Sequence, residues 1–311
     1  MAEDMLLNDS AAAFGDLLTL HRRELLVHCY RMLGSIDEAE DAVQDALTRA
    51  WKGRQTFRRS ISFRAWLYRI ATNVCLNAIE ARRRDRVNSA FAIGPCPDDL
   101  LTVVAAPEPG PEARYDAHES VSLAFLTVLQ VLPPRQRAVL ILRDVLTLRA
   151  AEVAAALDMS VPAVNSALQR ARATLRGGYS SAGHSVARGE PRALLDRYVR
   201  AWEAADVTGL VALLREDAVL AMPPMPAVIG ARRIGDFLAE SIFANTRKRL
   251  LEARANRSPA FGAYAQRVAG GPFNVFALLV ITIDRHQVRQ IDAFSDPRVF
   301  ARFDLPRELA G

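Results

Sequence analysis

The chain is poor in several things, and each shortage excludes something. It holds three cysteines, Cys29, Cys75 and Cys96, in 311 residues. They are too few and too scattered for a disulfide framework or a paired-cysteine zinc site, so core or incidental thiols are expected. Five histidines, His21, His28, His118, His184 and His286, lie far apart, with no H-E-x-x-H or similar ligand spacing. No metal site and no cofactor is expected. The longest unbroken apolar run, Val275–Ile281, is far short of the roughly 20 residues that span a bilayer. Met1-Ala-Glu-Asp is acidic and lacks the apolar stretch of a signal peptide. A cytoplasmic chain without a membrane partner is expected. Lysine is nearly missing, with Lys52 and Lys248 the only two among 40 basic residues. That skew reflects coding composition as much as phosphate binding, so the distribution of charge says more than its total.

What is present is globular. Half of the residues are hydrophobic and 24% are charged, which excludes wholesale disorder and fibrous repeats. The length predicts two or three domains. The charge alternates along the chain. Residues 1–48 carry three basic and ten acidic residues; residues 49–86 carry eleven and two. Residues 87–120 carry one and six; residues 135–176 carry seven and three. Such segregation suits a protein that meets nucleic acid with some segments and a basic protein partner with others.

The punctuation falls at the same breaks. Residues 14–86 hold three glycines and no proline and read as helical. Residues 87–113 hold five prolines and read as a linker. Residues 120–176 are again helical in pattern. Gly177–Gly183 reads as a second linker, and residues 191–303 as a unit of helices followed by strands.

Ile36–Trp51 reads as one amphipathic helix. Ala39, Ala42, Val43, Ala46, Leu47 and Ala50 form its apolar face, and Glu38, Asp41, Gln44 and Asp45 the other. The acids are either a solvated surface or a docking face for a basic partner. In Phe57–Arg84, Leu67, Ile70, Ala71, Val74, Leu76 and Ile79 make a core stripe. Arg64, Arg69, Asn73, Asn77 and Arg82–Arg84 lie outside it, interleaved with Phe57, Phe63, Trp66 and Tyr68. Aromatics among cations can stack unpaired bases while the charges hold a backbone; Trp66 and Phe63 can equally be core.

These two stretches, Asp37–Trp51 followed by Phe63–Asn73, resemble region 2 of bacterial sigma factors. The short linker points to the extracytoplasmic-function (ECF) group of the sigma-70 class. The resemblance implies a partner, core RNA polymerase. Asp37, Glu38, Asp41, Ala42, Val43, Gln44 and Asp45 would dock on the clamp helices of its largest subunit. It also implies promoter DNA. Phe57–Phe63 would form the loop that captures a flipped −10 base. Arg58, Arg59, Ser60, Phe63, Arg64, Trp66, Arg69, Asn73 and Asn77 would carry −10 contacts. Flipping costs a few kcal/mol, which stacking or pocket contacts must offset.

Further on, Leu132–Leu148 reads as a helix entered through two prolines. Leu148–Leu157, the turn Asp158-Met159, and Val161–Leu175 capped by Ser160 make a helix-turn-helix pattern. Ala163, Asn165, Ser166, Gln169, Arg170 and Arg172 are its outward positions; Asn, Gln and Arg can read base edges. The block resembles sigma region 4, which implies −35 contacts through these residues with Arg149 and Ser160, and a second polymerase contact at the flap. In that family an acidic, proline-rich linker threads toward the active-site and RNA-exit channel.

In the C-terminal unit, Arg192–Leu214 reads as two helices broken near Asp206–Gly209. Ala218–Met222, Leu250–Asn256, Gln266–Val268, Asn274–Asp284 and Gln287–Phe294 read as strands, and Ile234–Phe243 as a helix. Arg285-His286 is the expected hairpin turn. Ala201–Asp206, Leu213–Ala218 and Asp284–Phe294 resemble the SnoaL-like cone fold, related to NTF2 and ketosteroid isomerases. Asp217, Asp236 and Asp292 are candidate carboxylates by type only. Ala227–Gly230 stands where relatives often carry an aromatic pair, so sensing or interaction is expected rather than catalysis. Met222, Phe237 and Asp292 are candidate lining of a tail pocket for an unknown small ligand.

The expected fold is multidomain: a region 2 bundle (14–86), an acidic linker (87–119), a region 4 helix-turn-helix (120–176), a linker (177–190) and an α+β SnoaL-like unit (191–303). The expected function is a sigma factor, not an enzyme, with a tail that regulates in cis. The alternative is a polymerase-independent helix-turn-helix regulator fused to a SnoaL-like enzyme or sensor.

Overall fold

A computed structural model describes residues 11–57, 62–84, 93–101, 121–180, 192–244 and 246–311. They divide into two compact units: one runs to Ile93 and from Asp99 to Ala182, the other is Gly94–Asp98 with the chain from Gly183 onward. Among the described residues, no helix is long and apolar enough to cross a membrane.

The first unit is all helical. Helices α1 (Ala11–Leu33), α2 (Ile36–Lys52) and α3 (Phe63–Arg84) pack against one another. Leu17, Leu25, Cys29, Ala39, Val43, Leu67, Ala71 and Ile79 are buried between them. Gly34 turns the chain at φ 78°, a left-handed backbone that glycine adopts without steric cost. Ser35 then caps α2. The second half of the unit is α5 (Leu123–Val131), α6 (Pro134–Leu140), α7 (Ala150–Leu157) and α8 (Val161–Ser180), after a single turn α4 (Asp98–Leu101). Pro134 opens α6, where its missing N–H costs nothing. A wider turn over Ile141–Val145 ends it. The α7–α8 corner needs a left-handed residue and uses Asp158, φ 53° and ψ 53°, whose short side chain tolerates that region. The helix-turn-helix therefore forms without a glycine. Gly177 and Gly178 do not open a linker; α8 continues through them to Ser180. A helix already nucleated absorbs the ~1 kcal/mol that each glycine costs.

The second unit is α+β. Helices α9 (Arg192–Glu203), α10 (Val207–Leu213) and α11 (Ala231–Phe237) accompany strands β1 (Leu214–Met222), β2 (Met225–Ile229), β3 (Arg247–Ala255), β4 (Ser258–Gln266), β5 (Phe273–Asp284) and β6 (Gln287–Phe294). Helix α12 (Pro297–Arg302) and β7 (Glu308–Leu309) follow. The sheet order is β2-β1-β6-β5-β4-β3, with β7 beside β5; only β1 and β6 run parallel. Leu194, Tyr198, Trp202, Ile234 and Leu238 from the helices share one buried cluster with Phe261, Leu279, Ile281 and Ile291 from the sheet. Helices α9, α10 and α11 thus cover one face of a mixed sheet.

Two strands differ from expectation. β4 covers Ser258–Gln266 rather than Gln266–Val268, and β2 was not expected. Pro259, Gly262 and three alanines give β4 low strand propensity; it forms because it lies between β3 and β5 with both edges paired. The β3–β4 turn is Asn256-Arg257, both at positive φ, the hairpin geometry that asparagine favours. Arg285-His286 forms the β5–β6 turn, as expected, again with both φ positive.

The linker is not wholly free-standing. Gly94–Asp98 belongs to the α+β unit. Pro97 pairs antiparallel with Ala255. The Asn256 side chain accepts a bond from Cys96 N at 2.9 Å, and Asn256 N donates to Cys96 O at 3.0 Å. Arg257 N donates to Asp98 Oδ1 at 2.6 Å, and Arg254 Nε donates to Asp98 Oδ2 at 3.1 Å. The β3–β4 hairpin tip therefore grips the linker with main chain, an amide and an ion pair.

Candidate nucleic-acid and polymerase interface

Helix α2 carries the acidic face. Asp37, Asp41 and Gln44 are exposed. Glu38 is ion-paired with Arg82 of α3, and Asp45 makes a two-pronged bond to Arg49 at 2.9 and 2.8 Å. Ala42 and Val43 point into the bundle, 5% and 1% exposed. Neither can touch a docked partner in this state; the helical period that exposes Asp41 and Gln44 turns these two inward.

Of the −10 candidates, Arg58, Arg59 and Ser60 lie outside the described residues. Phe63 and Trp66 are core: each is buried, and with Phe14 and Phe57 they form an aromatic cluster. Phe57 and Trp66 are 5.2 Å apart, Phe14 and Phe63 5.5 Å. Their faces are taken, so a base does not stack on either ring as they stand. Arg69, Asn73 and Asn77 are exposed, and their spacing of four puts them in one row along α3. Arg64 begins that half of the helix but is held: its Nε donates to Glu24 Oε2 at 2.9 Å. Tyr68 O–H donates to the same oxygen at 3.0 Å, and His21 bonds Oε1. Burial raises the Glu24 carboxyl, but the bonds from His21 and Arg64 outweigh it and hold the group below the ordinary range. Beneath, His28 Nε2 meets Thr72 Oγ1 at 2.9 Å, and burial pushes this imidazole down to about 3, so it stays neutral. This network was missed in the sequence; its trace was the set of polar residues His21, Glu24 and His28 at helical spacing on α1, of which His21 and His28 fall among the buried positions.

In the helix-turn-helix, Ser160 caps α8, its hydroxyl accepting from Ala163 N at 3.3 Å. Asn165, Ser166, Gln169 and Arg170 are exposed on the outer face, with Ala163 half-buried. Arg172 is exposed but occupied, with two bonds to Asp144 at 2.8 and 2.7 Å. Arg149 precedes α7 and grips Glu152, its backbone N donating to the carboxylate at 2.8 Å. The two helical halves of this unit meet at Arg137, 1% exposed. Its guanidinium donates to Met32 O at the end of α1, to Gln130 O at 3.0 Å and to Leu132 O at 3.3 Å. Burial pushes it down to about 10, where it remains charged at neutral pH.

The tail candidates do not gather. Met222 and Phe237 pack against the helix-side core. Asp292 follows Ile291 of that core, so strand alternation turns it to the other face. Burial pushes its carboxyl up to about 6, against a bond from Gln290 Nε2 at 2.8 Å. Asp217 is exposed and bonded to Arg215 at 2.8 Å, and Asp236 is exposed elsewhere on α11. No acid–base pair faces a shared pocket among these three.

Comparison with known proteins adds four findings. Family models for Sigma-70 region 2 and for Sigma-70, region 4 match residues 17–85 and 122–175. ECF RNA polymerase sigma factor SigG of Mycobacterium tuberculosis is 41% identical over 309 residues, covering 93% of this chain and 83% of that one. SigW of Bacillus subtilis is 31% identical over 166 residues, 53% of this chain and 87% of that one. The crystal structure of M. tuberculosis sigma factor SigJ aligns with TM-score 0.64 at 22% identity, covering 94% of this chain and 99% of that one, a likeness of fold. The similarity to SigG runs through both sigma regions and into the tail, and on it the chain belongs to the ECF family of RNA polymerase sigma factors.

Proposed function

We propose that the chain divides the work of a promoter-directing sigma factor among three surfaces and restrains it with a fourth. Asp37, Asp41 and Gln44 on α2 dock on the clamp helices of core RNA polymerase. The row Arg69, Asn73, Asn77 on α3 reads the −10 element. Asn165, Ser166, Gln169 and Arg170 on α8 read the −35 element, and the same module meets the flap. Residues 14–86 act as region 2, 120–176 as region 4 and 191–303 as the tail. The factor works in the cytoplasm, where polymerase is, and adds no catalysis of its own.

The observation that carries this reading is that the polar faces left exposed on α2, α3 and α8 differ in character. One is acidic, suited to a basic protein partner; two present amides and arginines, suited to bases and phosphates. A polymerase-independent regulator has no use for the first. The tail's restraint is supported by the hairpin grip on Cys96–Asp98: linker held by the tail is not available to polymerase.

The test is multi-round transcription with purified core polymerase on genomic promoter fragments, using the full chain and an Asp37→Arg/Asp41→Arg variant. Specific transcripts from the parent and loss with the variant are expected. If neither chain bound core polymerase, the reading would fail.

A further inference from the structure

Lys248 is one of two lysines in a chain of 38 arginines, and it is 5% exposed. It lies on β3 at the edge of a cavity of about 530 Å³ in the α+β unit, a volume that suits a small organic molecule. Arg267, just beyond β4, lines the same cavity and is exposed. Ile242, Ala265, Val275 and Phe276 give it an apolar wall. No carboxylate is among its lining residues. Lys248 Nζ donates to Thr246 Oγ1, and the Phe276 ring lies 5.7 Å away. One hydroxyl and one ring leave two N–H donors of the ammonium for something else. Met222, Phe237 and Asp292, expected to line a tail pocket, are not part of this one.

We infer that this cavity binds a small organic acid, its carboxylate between Lys248 and Arg267 and its apolar body against Phe276, Val275 and Ile242. The two cations, Lys248 buried and Arg267 exposed, repel each other with no carboxylate among the lining residues, and burial adds a desolvation cost at Lys248. Burial first, and the charge of Arg267 second, hold the lysine below its ordinary range. An incoming carboxylate relieves both, since it supplies the opposite charge and charge-assisted hydrogen bonds. Inorganic phosphate would satisfy the cations but leave the apolar wall wet. An uncharged alcohol would cover the wall but leave the cations unpaired. The inference deepens the regulatory reading of the tail and rests on it only for its consequence in transcription.

The experiment is calorimetric titration of the full-length chain with octanoate, 1-octanol and inorganic phosphate. Octanoate is expected to bind with a Kd below about 1 mM, more than tenfold tighter than either comparator. Lys248→Met keeps the length and apolar stem of the side chain, and Arg267→Ala alters an exposed one; each is expected to weaken octanoate at least tenfold. Octanol binding as well as octanoate would overturn the role of the cations. Phosphate binding as well would overturn the apolar body. Unchanged affinity in a folded Arg267→Ala chain, or no octanoate binding at millimolar concentration, would overturn the site. Octanoate binding that leaves transcription unchanged would keep the site and remove the regulatory reading instead.

Discussion

Glu24 and Arg64, forty residues apart, meet at 2.9 Å across the packing of α1 on α3, with Tyr68 bonded to the same oxygen. The carboxylate lies under the helix proposed to read the −10 element and fixes the arginine that begins its polar row. Because the Glu24 carboxyl is held below its unfolded value, its contribution to stability is full above the unfolded pKa of about 4.3 and is lost as pH falls through the lower folded value. Glu24→Gln should lower the melting temperature at pH 7. The gap to the parent should close in acid, below about pH 4. Melting curves from pH 7 to pH 3 check it; a gap constant with pH would mean that packing, not the ion pair, is what the substitution disturbs.

The acidic face of α2 separates docking from folding. Asp37→Arg with Asp41→Arg should weaken core polymerase binding at least tenfold, about 1.4 kcal/mol, with little change in stability, since both side chains are exposed. Ala42→Glu should do the reverse: it buries a charge where Ala42 is 5% exposed and should unfold the bundle before it affects docking. Fluorescence anisotropy with labelled core, beside urea melts, distinguishes the two.

On α8 the two outward arginines are not equivalent. Arg170 is exposed, while Arg172 spends its fork on Asp144. Arg170→Ala should cost about 1–3 kcal/mol on a matched −35 sequence and much less on a scrambled one, if it reads a base. Arg172→Ala should weaken both sequences alike, through the loosened contact of α8 with the Ile141–Val145 turn. Band shifts of holoenzyme on the two DNAs measure this, and equal loss for Arg170→Ala would make it a phosphate contact.

Much of this architecture was legible in residue spacing. The alternation of Asp41 and Gln44 with Ala42 and Val43 marked both faces of α2, and Ser160 marked the start of α8. What spacing could not decide was whether an aromatic near arginines is a platform or a plug. Phe63 and Trp66 are plugs because Phe14, some fifty residues away in sequence, completes their cluster. Nor could it show that Arg172 has a partner in Asp144, or that Cys96–Asp98 leaves the linker to join a hairpin. Each depends on a residue distant in sequence, which local periodicity does not register. The tail pocket failed for a related reason: Met222, Phe237 and Asp292 were chosen by type, and strand alternation sends Asp292 to the wrong face.

Arg137 joins the two helical halves of the first unit. Arg137→Ala leaves the carbonyls of Met32, Gln130 and Leu132 without this donor. Each buried acceptor left unpaired costs about 1–3 kcal/mol, so a loss of roughly 3 kcal/mol or more is expected. Arg137→Lys should recover only part of it, because an ammonium cannot span three carbonyls as the planar fork does. Urea denaturation of the three chains measures both steps, and full recovery by lysine would show that charge alone, not fork geometry, holds the junction.

The grip of the tail on the linker gives the most direct test of restraint. Asn256 supplies both an acceptor and a donor to Cys96, and Asp98 receives Arg254 and Arg257. Asn256→Gly preserves the positive φ of the turn, 55°, which glycine adopts freely, and removes the side-chain acceptor of Cys96 N. Asp98→Ala removes the carboxylate that Arg254 Nε and Arg257 N donate to. Combined, they strip the side-chain bonds of the grip and leave only its main-chain part, Asn256 N to Cys96 O and the Pro97–Ala255 pairing, so the linker should loosen while the tail stays folded. If holding the linker restrains initiation, the double variant should give more transcript than the parent at equal core occupancy, and protease should cut near Cys96 sooner. Faster cleavage without added transcript would separate the two: the grip would be structural, and restraint by the tail would have to act through another contact.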